Sequence, residues 1–396
     1  MTSAEIITIG TEILLGEIVD TNTRYIAKTL RGLGVDLYRT ITIGDNVDRI
    51  ANAIHNSMER ANIVITTGGL GPTIDDPTRE AVAKAVGVQT EFREELWEQV
   101  VENIARYGRK ASENQKRQAY VPQGAIGLKN PVGTAPCFIV EKQFPSPDLG
   151  EGLGVRESVV ISLPGVPAEM EHILHESVIP YLQKKFNLNE IIKVRLLHCA
   201  GLGEGVIDEK IADLETLSNP TVGLAAHTGI VDIRIAAKAK NESEADKMID
   251  EIESQVRERI GNVVFGIDED KLEDVTLNLL AKKGLTLTAI ESGLDGLLTR
   301  KLKHVASLPD TSTRLSASLT PDSLLEALRL TQASAKTDVA VGVSIISEER
   351  SAVMAMITPK GEKSHKITYG GPPKSLPKWS VNLTINWLRM TLEEME

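Results

Sequence analysis

The chain has 396 residues, enough for two to three domains at the usual ~150 residues each. Hydrophobic residues make up 41% and charged residues 25%, an ordinary globular balance, while 4% aromatics predict aliphatic cores. The formal net charge of -11 argues against a general binder of nucleic acid or anionic membrane, and leaves room for a local pocket for a small phosphate compound.

The opening alternates strand and helix signals. Ile6, Ile7 and Ile9 read as a buried strand, and Asp20 to Thr23 as a helix start continued by Tyr25, Ile26 and Leu30. Val35 to Ile43 reads as a second strand. Ile50, Ala53, Ile54 and Met58 form a helix face, and Ile63 to Thr67 is a third strand followed by a Gly-rich turn and a helix from near Asp76. This βαβα order predicts a parallel sheet with helices on both faces and ligands at the carboxyl ends of its strands. Residues 91–119 read as helical, and residues 144–157 as an exposed Pro- and Gly-rich loop. Val159 to Leu163 is a further strand, running through Pro164-Gly165-Val166-Pro167 into a helix. From about 186 to 265 the rhythm is that of a small α+β module. A third unit holds strands at Leu285 to Ile290 and Asp338 to Ser344, a polar loop at Ser307 to Ser318, and a final helix. The expected domains are 1–175, 176–265 and 266–396. No short-period repeat and no low-complexity tract is present.

Cys137 and Cys199 form neither a disulfide framework nor a zinc site, which fits a reducing, cytoplasmic setting. No run approaches 18 apolar residues, and Met1 to Gly10 lacks the features of a signal peptide.

The strongest local signal is Thr66-Thr67-Gly68-Gly69-Leu70-Gly71-Pro72-Thr73-Ile74-Asp75-Asp76-Pro77-Thr78. Glycines between a strand and a helix allow backbone amides to approach a phosphate. Asp75 and Asp76 would repel that phosphate unless a divalent metal sits between, since hard cations take carboxylate oxygens; the alternative is that one of them caps the helix. Glu12, Asp20 and Asn22 follow strand one, and Gly44-Asp45-Asn46 follows strand two. In a parallel sheet these strand ends converge on one rim.

With the motifs GTEILLG, DTN, GDN and TTGGLGPTxDDxT on the page, the chain resembles the CinA family (competence/damage-inducible protein A), whose first domain belongs to the molybdopterin-binding superfamily. The likeness continues through Glu113-Asn114, Arg117-Gln118-Ala119, Asn130 to Pro136, and Leu163 to Pro167 with Glu169-Met170; Cys137 stands where the family pattern usually has Gly. The resemblance implies an α/β fold: a molybdopterin-binding-like parallel-sheet N-terminal domain, a small α+β middle module, and a reduced α/β C-terminal domain. It implies hydrolysis of ADP-ribose, or a related nucleotide, to AMP and ribose 5-phosphate with a divalent metal (Mn, Co or Mg), and a homodimer. Carried over by position, Gly68, Gly69, Gly71, Pro72 and Thr73 would hold phosphates, joined by Asn22 and Thr134. Asp75 and Asp76 would hold the metal, and Asp45, Asp76 and Glu12 would be the catalytic acids, with the division of roles among them open. Gly201-Leu202-Gly203-Glu204-Gly205 also fits the family, as a structural or dimer-forming module, and His198 and His227 are expected to be ordinary residues rather than ligands.

The last domain resembles nicotinamide mononucleotide deamidase with its chemistry removed. Glu291, Ser292 and Gly296 survive from the family's nucleophile motif, while the Tyr-Ser-Asn-x-x-Lys segment is missing and Ile345-Ile346-Ser347 replaces the glycines after Ser344. A serine without a positioned base is a weak nucleophile, so Ser292 is expected to be a helix N-cap. The alternatives are a working second amidase site, or a pterin- or nucleotide-binding module without turnover.

Overall fold

In the computed structural model, which describes residues 2–106, 108–145, 155–303, 313–315 and 318–395, the apolar runs between Gly and Pro punctuation become strands and the amphipathic runs become helices. The first elements are β1 (Ser3–Ile9), α1 (Thr11–Leu14), α2 (Thr21–Gly32), β2 (Asp36–Ile43), α3 (Val47–Met58), β3 (Ile63–Thr67), α4 (Thr78–Val86), β4 (Thr90–Phe92) and α5 (Glu94–Arg106). A 3-10 turn at Glu113–Ala119 leads into β5 (Tyr120–Pro122), β6 (Ile126–Leu128), β7 (Cys137–Pro145), β8 (Val155–Leu163), α6 (Pro167–Ile173) and α7 (Ile179–Phe186).

The sheet runs β2-β1-β3-β8-β7-β6. Its first four strands are parallel, so βαβ crossovers place helices on its faces and every residue of β1 and β3 is buried. Ile6, Ile7, Ile63 and Ile65 meet Ile26, Leu30 and Ile54 of the helices in one aliphatic core. Each such side chain contributes about 2 kcal/mol of burial.

Two expectations change. The β7–β8 ribbon is antiparallel and pairs out to Pro145↔Val155, so residues 155–157 continue a strand instead of belonging to a loop; residues 146–154 lie outside the described residues. Within 91–119, the helix ends at Arg106 and only the short 3-10 turn follows.

The next elements are β9 (Ile191–Ala200), α8 (Glu204–Glu215), β10 (Thr221–His227), β11 (Ile230–Ala239), α9 (Glu242–Ile260) and β12 (Val264–Ile267), in a sheet ordered β10-β11-β9-β12. After them come α10 (Leu272–Lys282), β13 (Leu287–Ser292), α11 (Leu297–Lys303), β14 (Thr313–Leu315), α12 (Pro321–Ala335), β15 (Val339–Ile346), β16 (Ser351–Thr358), β17 (Gly361–Thr368) and α13 (Leu376–Glu393). Their sheet runs β14-β13-β15-β16-β17, with parallel pairing around β13 and antiparallel pairing beyond β15. Most of the expected 307–318 loop lies outside the described residues, and Thr313–Leu315 within it forms β14.

The chain divides into two compact units, Met1–Lys193 with Lys238–Ala245, and Val194–Ala237 with Asp246–Glu396. Within the second unit, α13 buries a polar face toward the middle sheet's loops: Asn382 donates to the Thr228 carbonyl at 2.7 Å, and Arg389 to the Asn262 carbonyl at 2.7 Å. Among the described residues no helix is long and apolar enough to cross a membrane.

Candidate active site

At the carboxyl edge of the parallel strands, β1 passes through Gly10 into the single turn α1. Asp45, at the end of β2, closes that turn: its Oδ2 accepts from the Thr11 amide at 2.9 Å and the Thr11 hydroxyl at 2.7 Å. Oδ1 of Asp45 has no hydrogen-bond partner among the described residues. Asp20 caps α2, accepting from the Thr23 amide at 2.9 Å and from the Thr8 hydroxyl at 2.8 Å. Asn22 is buried and spends its amide donors inward, on Thr67 Oγ1 and the Gly165 carbonyl, both at 2.9 Å. Those two contacts hold the Leu163–Pro167 turn against the end of β3.

Leaving β3, the backbone folds back so tightly that side chains are excluded. Gly68 has φ 106°, and a Cβ there would lie 2.1 Å from the Ile9 carbonyl oxygen. At Gly71 a Cβ would lie 2.4 Å from Asp76 Oδ2. That carboxylate closes the turn ahead of it, accepting from the Thr73 amide at 2.8 Å and the Thr73 hydroxyl at 2.6 Å. Neither Asp75 nor Asp76 is the helix cap, since Pro77 holds that position without a side-chain cap bond.

The first turn of α4 then grips the loop from beneath. Thr78 donates to the Gly68 carbonyl at 2.8 Å, and Arg79 donates to the carbonyls of Leu70 at 2.6 Å and Gly71 at 3.2 Å. With its carbonyls tied down, the loop keeps the amides of Gly69, Leu70 and Gly71 without a hydrogen-bond acceptor among the described residues. Arg79 is buried, and burial pushes its guanidinium down to about 10, against the opposing influence of Cys137 and Asp76. It therefore stays cationic at neutral pH. A buried cation under a loop of uncommitted amides favours an anion.

Two cavities flank this loop. The first, about 450 Å³, is lined by Glu12, Asp20, Asn22, Asp45, Gly68, Gly69, Asp75 and Asp76 together with the Gly165 turn. Five carboxylates and no basic side chain line it. The second, about 270 Å³, is lined by Gly71, Thr73, Asp76, Arg79, Arg117 and Tyr120 among others. Asp76 is the one residue common to both linings. Seven of the expected site residues, Glu12, Asn22, Asp45, Gly68, Gly69, Asp75 and Asp76, thus lie on the first cavity, and Gly71 and Thr73 on the second. Pro72 and Thr134 line neither. Thr134 accepts from Gln118 at 3.3 Å, in a loop organised by Asn130, whose side chain bonds the Ala135 carbonyl, Glu169 and the Gly133 amide.

Sequence reasoning missed Arg79 and Tyr120, and gave Thr78, the last residue of the glycine-loop motif, no role of its own. Arg79 had a signal: a cation in the first turn of a helix opposes the macrodipole and needs another reason to be there.

In the second unit, Glu291 and Ser292 end β13, and Ser292 pairs in register with Ser344 of β15. All three are buried. Glu291 accepts from the Leu298 amide at 3.0 Å and the Thr299 hydroxyl at 2.5 Å. The carboxylate therefore serves the start of α11, and Ser292, five residues ahead of that helix, is not its N-cap. Ser344 Oγ accepts from the Leu319 amide at 3.0 Å.

Residues 5–184 match the family profile described as a probable molybdopterin binding domain. Residues 194–266 match the damage-inducible protein CinA KH domain. A putative competence-damage inducible protein of Halothermothrix orenii is 39% identical over 305 residues, covering 76% of this chain and 70% of the relative. A CinA-like protein of Kosmotoga olearia is 40% identical over 306 residues, covering 77% and 71%. The crystal structure of a CinA protein of unknown function from Thermoplasma acidophilum is 32% identical, covers 46% of this chain and 98% of that chain, and superposes with a TM-score of 0.38.

Proposed function

The chain belongs to the CinA family of competence-damage inducible proteins, and from that premise we propose that its first unit hydrolyses the pyrophosphate bond of ADP-ribose, or a related nucleotide, to AMP and ribose 5-phosphate. The observation that carries the reading is the glycine loop: free amides above a buried Arg79, between two cavities that share Asp76. A substrate with an anionic centre and two uncharged ends matches that layout.

The amides of Gly69 to Gly71 and the charge of Arg79 would hold the diphosphate. Water would attack one phosphorus, and the bridging oxygen would leave with the other phosphate. The free Oδ1 of Asp45 would take the water's proton, while Thr11 fixes that carboxylate's orientation through Oδ2. Among the described residues no three His, Cys, Asp or Glu side chains are grouped to hold a metal ion, so the acids do not build a closed protein cage. They fit instead an ion carried on substrate phosphates and steadied by one or two carboxylates, the habit of Mg²⁺. Asp75 and Asp76 would hold it, and its chemistry there would be to neutralise the diphosphate and acidify water.

A second reading, a nucleotide- or pterin-binding module without turnover, uses the same amides and buried Arg79 for binding alone. Steady-state kinetics on ADP-ribose separate the two. Asp45→Asn should lower kcat by a factor of about 10² to 10⁴ with KM little changed; equal turnover by variant and wild type would remove Asp45 from the chemistry. The reading includes a cytoplasmic homodimer, no nucleic-acid or membrane partner, and a last domain without amidase activity.

A further inference from the structure

We propose that the second cavity is a nucleoside site, binding an aromatic base and its phosphate, while the acid-lined first cavity takes the sugar on the far side of the pyrophosphate. The proposal rests on the hydrolase reading for the substrate class, and it adds the direction in which that substrate lies.

The two cavities share Asp76 and differ in charge: the first has five carboxylates and no basic side chain, while the second sets Arg79 and Arg117 beside Asp76 and Glu80. The second has an aromatic wall. Tyr120 opens β5 and pairs with Phe92 of β4 across an antiparallel ribbon, and their rings stand 5.4 Å apart at 60°. Tyr120 is 42% exposed, so its ring is braced on one side and open on another, the arrangement a stacked base needs. Beside it, Arg117 lines the cavity and makes no ion pair or side-chain hydrogen bond among the described residues. An uncommitted guanidinium next to an aromatic suits a nucleoside phosphate. Buried Arg79 adds a second positive charge in the same wall.

The first cavity offers acceptors instead. Its five carboxylates suit sugar hydroxyls, which donate, and disfavour a second phosphate without a cation. Asn22 points the same way. Its side-chain oxygen is buried with no hydrogen-bond partner among the described residues. Flipping the amide would not help, because Thr67 Oγ1 already donates to the Pro164 carbonyl and so must accept from Asn22, and the Gly165 carbonyl only accepts. Asn22 is thus fixed as an acceptor on the sugar side, a contact for substrate hydroxyls and not for phosphate oxygens.

Titration calorimetry with AMP and with ribose 5-phosphate, each alone, tests the direction without requiring turnover. Tyr120→Ala should weaken AMP roughly tenfold, the size of one base stack. Tyr120→Phe should keep AMP affinity, Arg117→Ala should weaken AMP, and Tyr120→Ala should leave ribose 5-phosphate unchanged. Both side chains are exposed, and Tyr120→Phe controls for loss of fold. A variant that weakens both ligands equally, AMP affinity indifferent to Tyr120, or a wild type that binds no AMP would each overturn the assignment. Protein that binds AMP through Tyr120 yet never cleaves ADP-ribose would sink the hydrolase reading and keep the base site. Cleavage that continues with unchanged KM in Tyr120→Ala would do the reverse.

Discussion

Arg79 is the residue that most clearly ties the loop's shape to its chemistry. It supplies donors to two loop carbonyls from a buried position, so its removal leaves both unsatisfied. Arg79→Met should therefore lose about 2 kcal/mol of stability, read as a lower urea midpoint, because an unpaired buried carbonyl costs on the order of 1–3 kcal/mol. An unchanged midpoint would mean that relief of the buried charge offsets the lost bonds. Gly71→Ala should spare the fold and strike activity, since the added Cβ displaces the Asp76 carboxylate from the Thr73 turn. That the glycine loop and the strand-end acids share one rim was legible in the sequence, because a parallel sheet brings its strand ends to one edge. Arg79 was only half legible: a cation in a helix's first turn is unusual, but its burial and its grip on the loop carbonyls come from the fold. The inward commitment of Asn22 was not legible, since it depends on Thr67 and Gly165, the latter 143 positions away.

Among elements, β1 is anchored to the end of α3 by Glu5, buried at the strand and bonded to Ser57 Oγ at 2.6 Å and to Arg60 at 3.0 and 2.9 Å. Burial works against this carboxylate, yet the Arg60 and Ser57 bonds outweigh it and hold it below its ordinary range. Its stabilising effect is present above the unfolded value and fades as pH falls through the folded one. Arg60→Ala should cost about 3 kcal/mol near neutrality, by stranding a buried charge, and less below pH 4; a deficit independent of pH would contradict the account. In the middle sheet, His198 of β9 bonds Asp232 of β11 at 2.7 Å and the Asp268 carbonyl at 2.8 Å. Burial opposes its charge, but these acceptors raise it overall. The contribution is complete below the unfolded value near 6.5 and is lost as pH rises through the folded one. His198→Gln should consequently destabilise more at pH 6 than at pH 9 in thermal melts. Periodicity located the parallel strands and their helices. It missed the β6–β7 edge, whose Glu141, Lys142 and Gln143 break the apolar pattern and whose pairing is set by distant β8.

For the molecule as a whole, the middle module carries eight Lys or Arg against thirteen Asp or Glu over residues 194–266. That balance opposes contact with a phosphate backbone, and α13 fastens the module's loops within the second unit through Asn382 and Arg389. In the same unit Glu291 is spent on a helix start and Ser344 on a backbone amide. The purified protein should release no ammonia from nicotinamide mononucleotide; release would restore a working amidase. That a motif had eroded was visible in the sequence, whereas the new use of Glu291 required the position of α11.

The most direct measurement is AMP release from ADP-ribose by the purified chain, with and without Mn²⁺, Co²⁺ or Mg²⁺, beside Asp76→Ala. Metal-dependent AMP release that vanishes in the variant is the expected result. Release that persists in Asp76→Ala, or no release under any ion, would contradict hydrolysis at the shared acid between the two cavities.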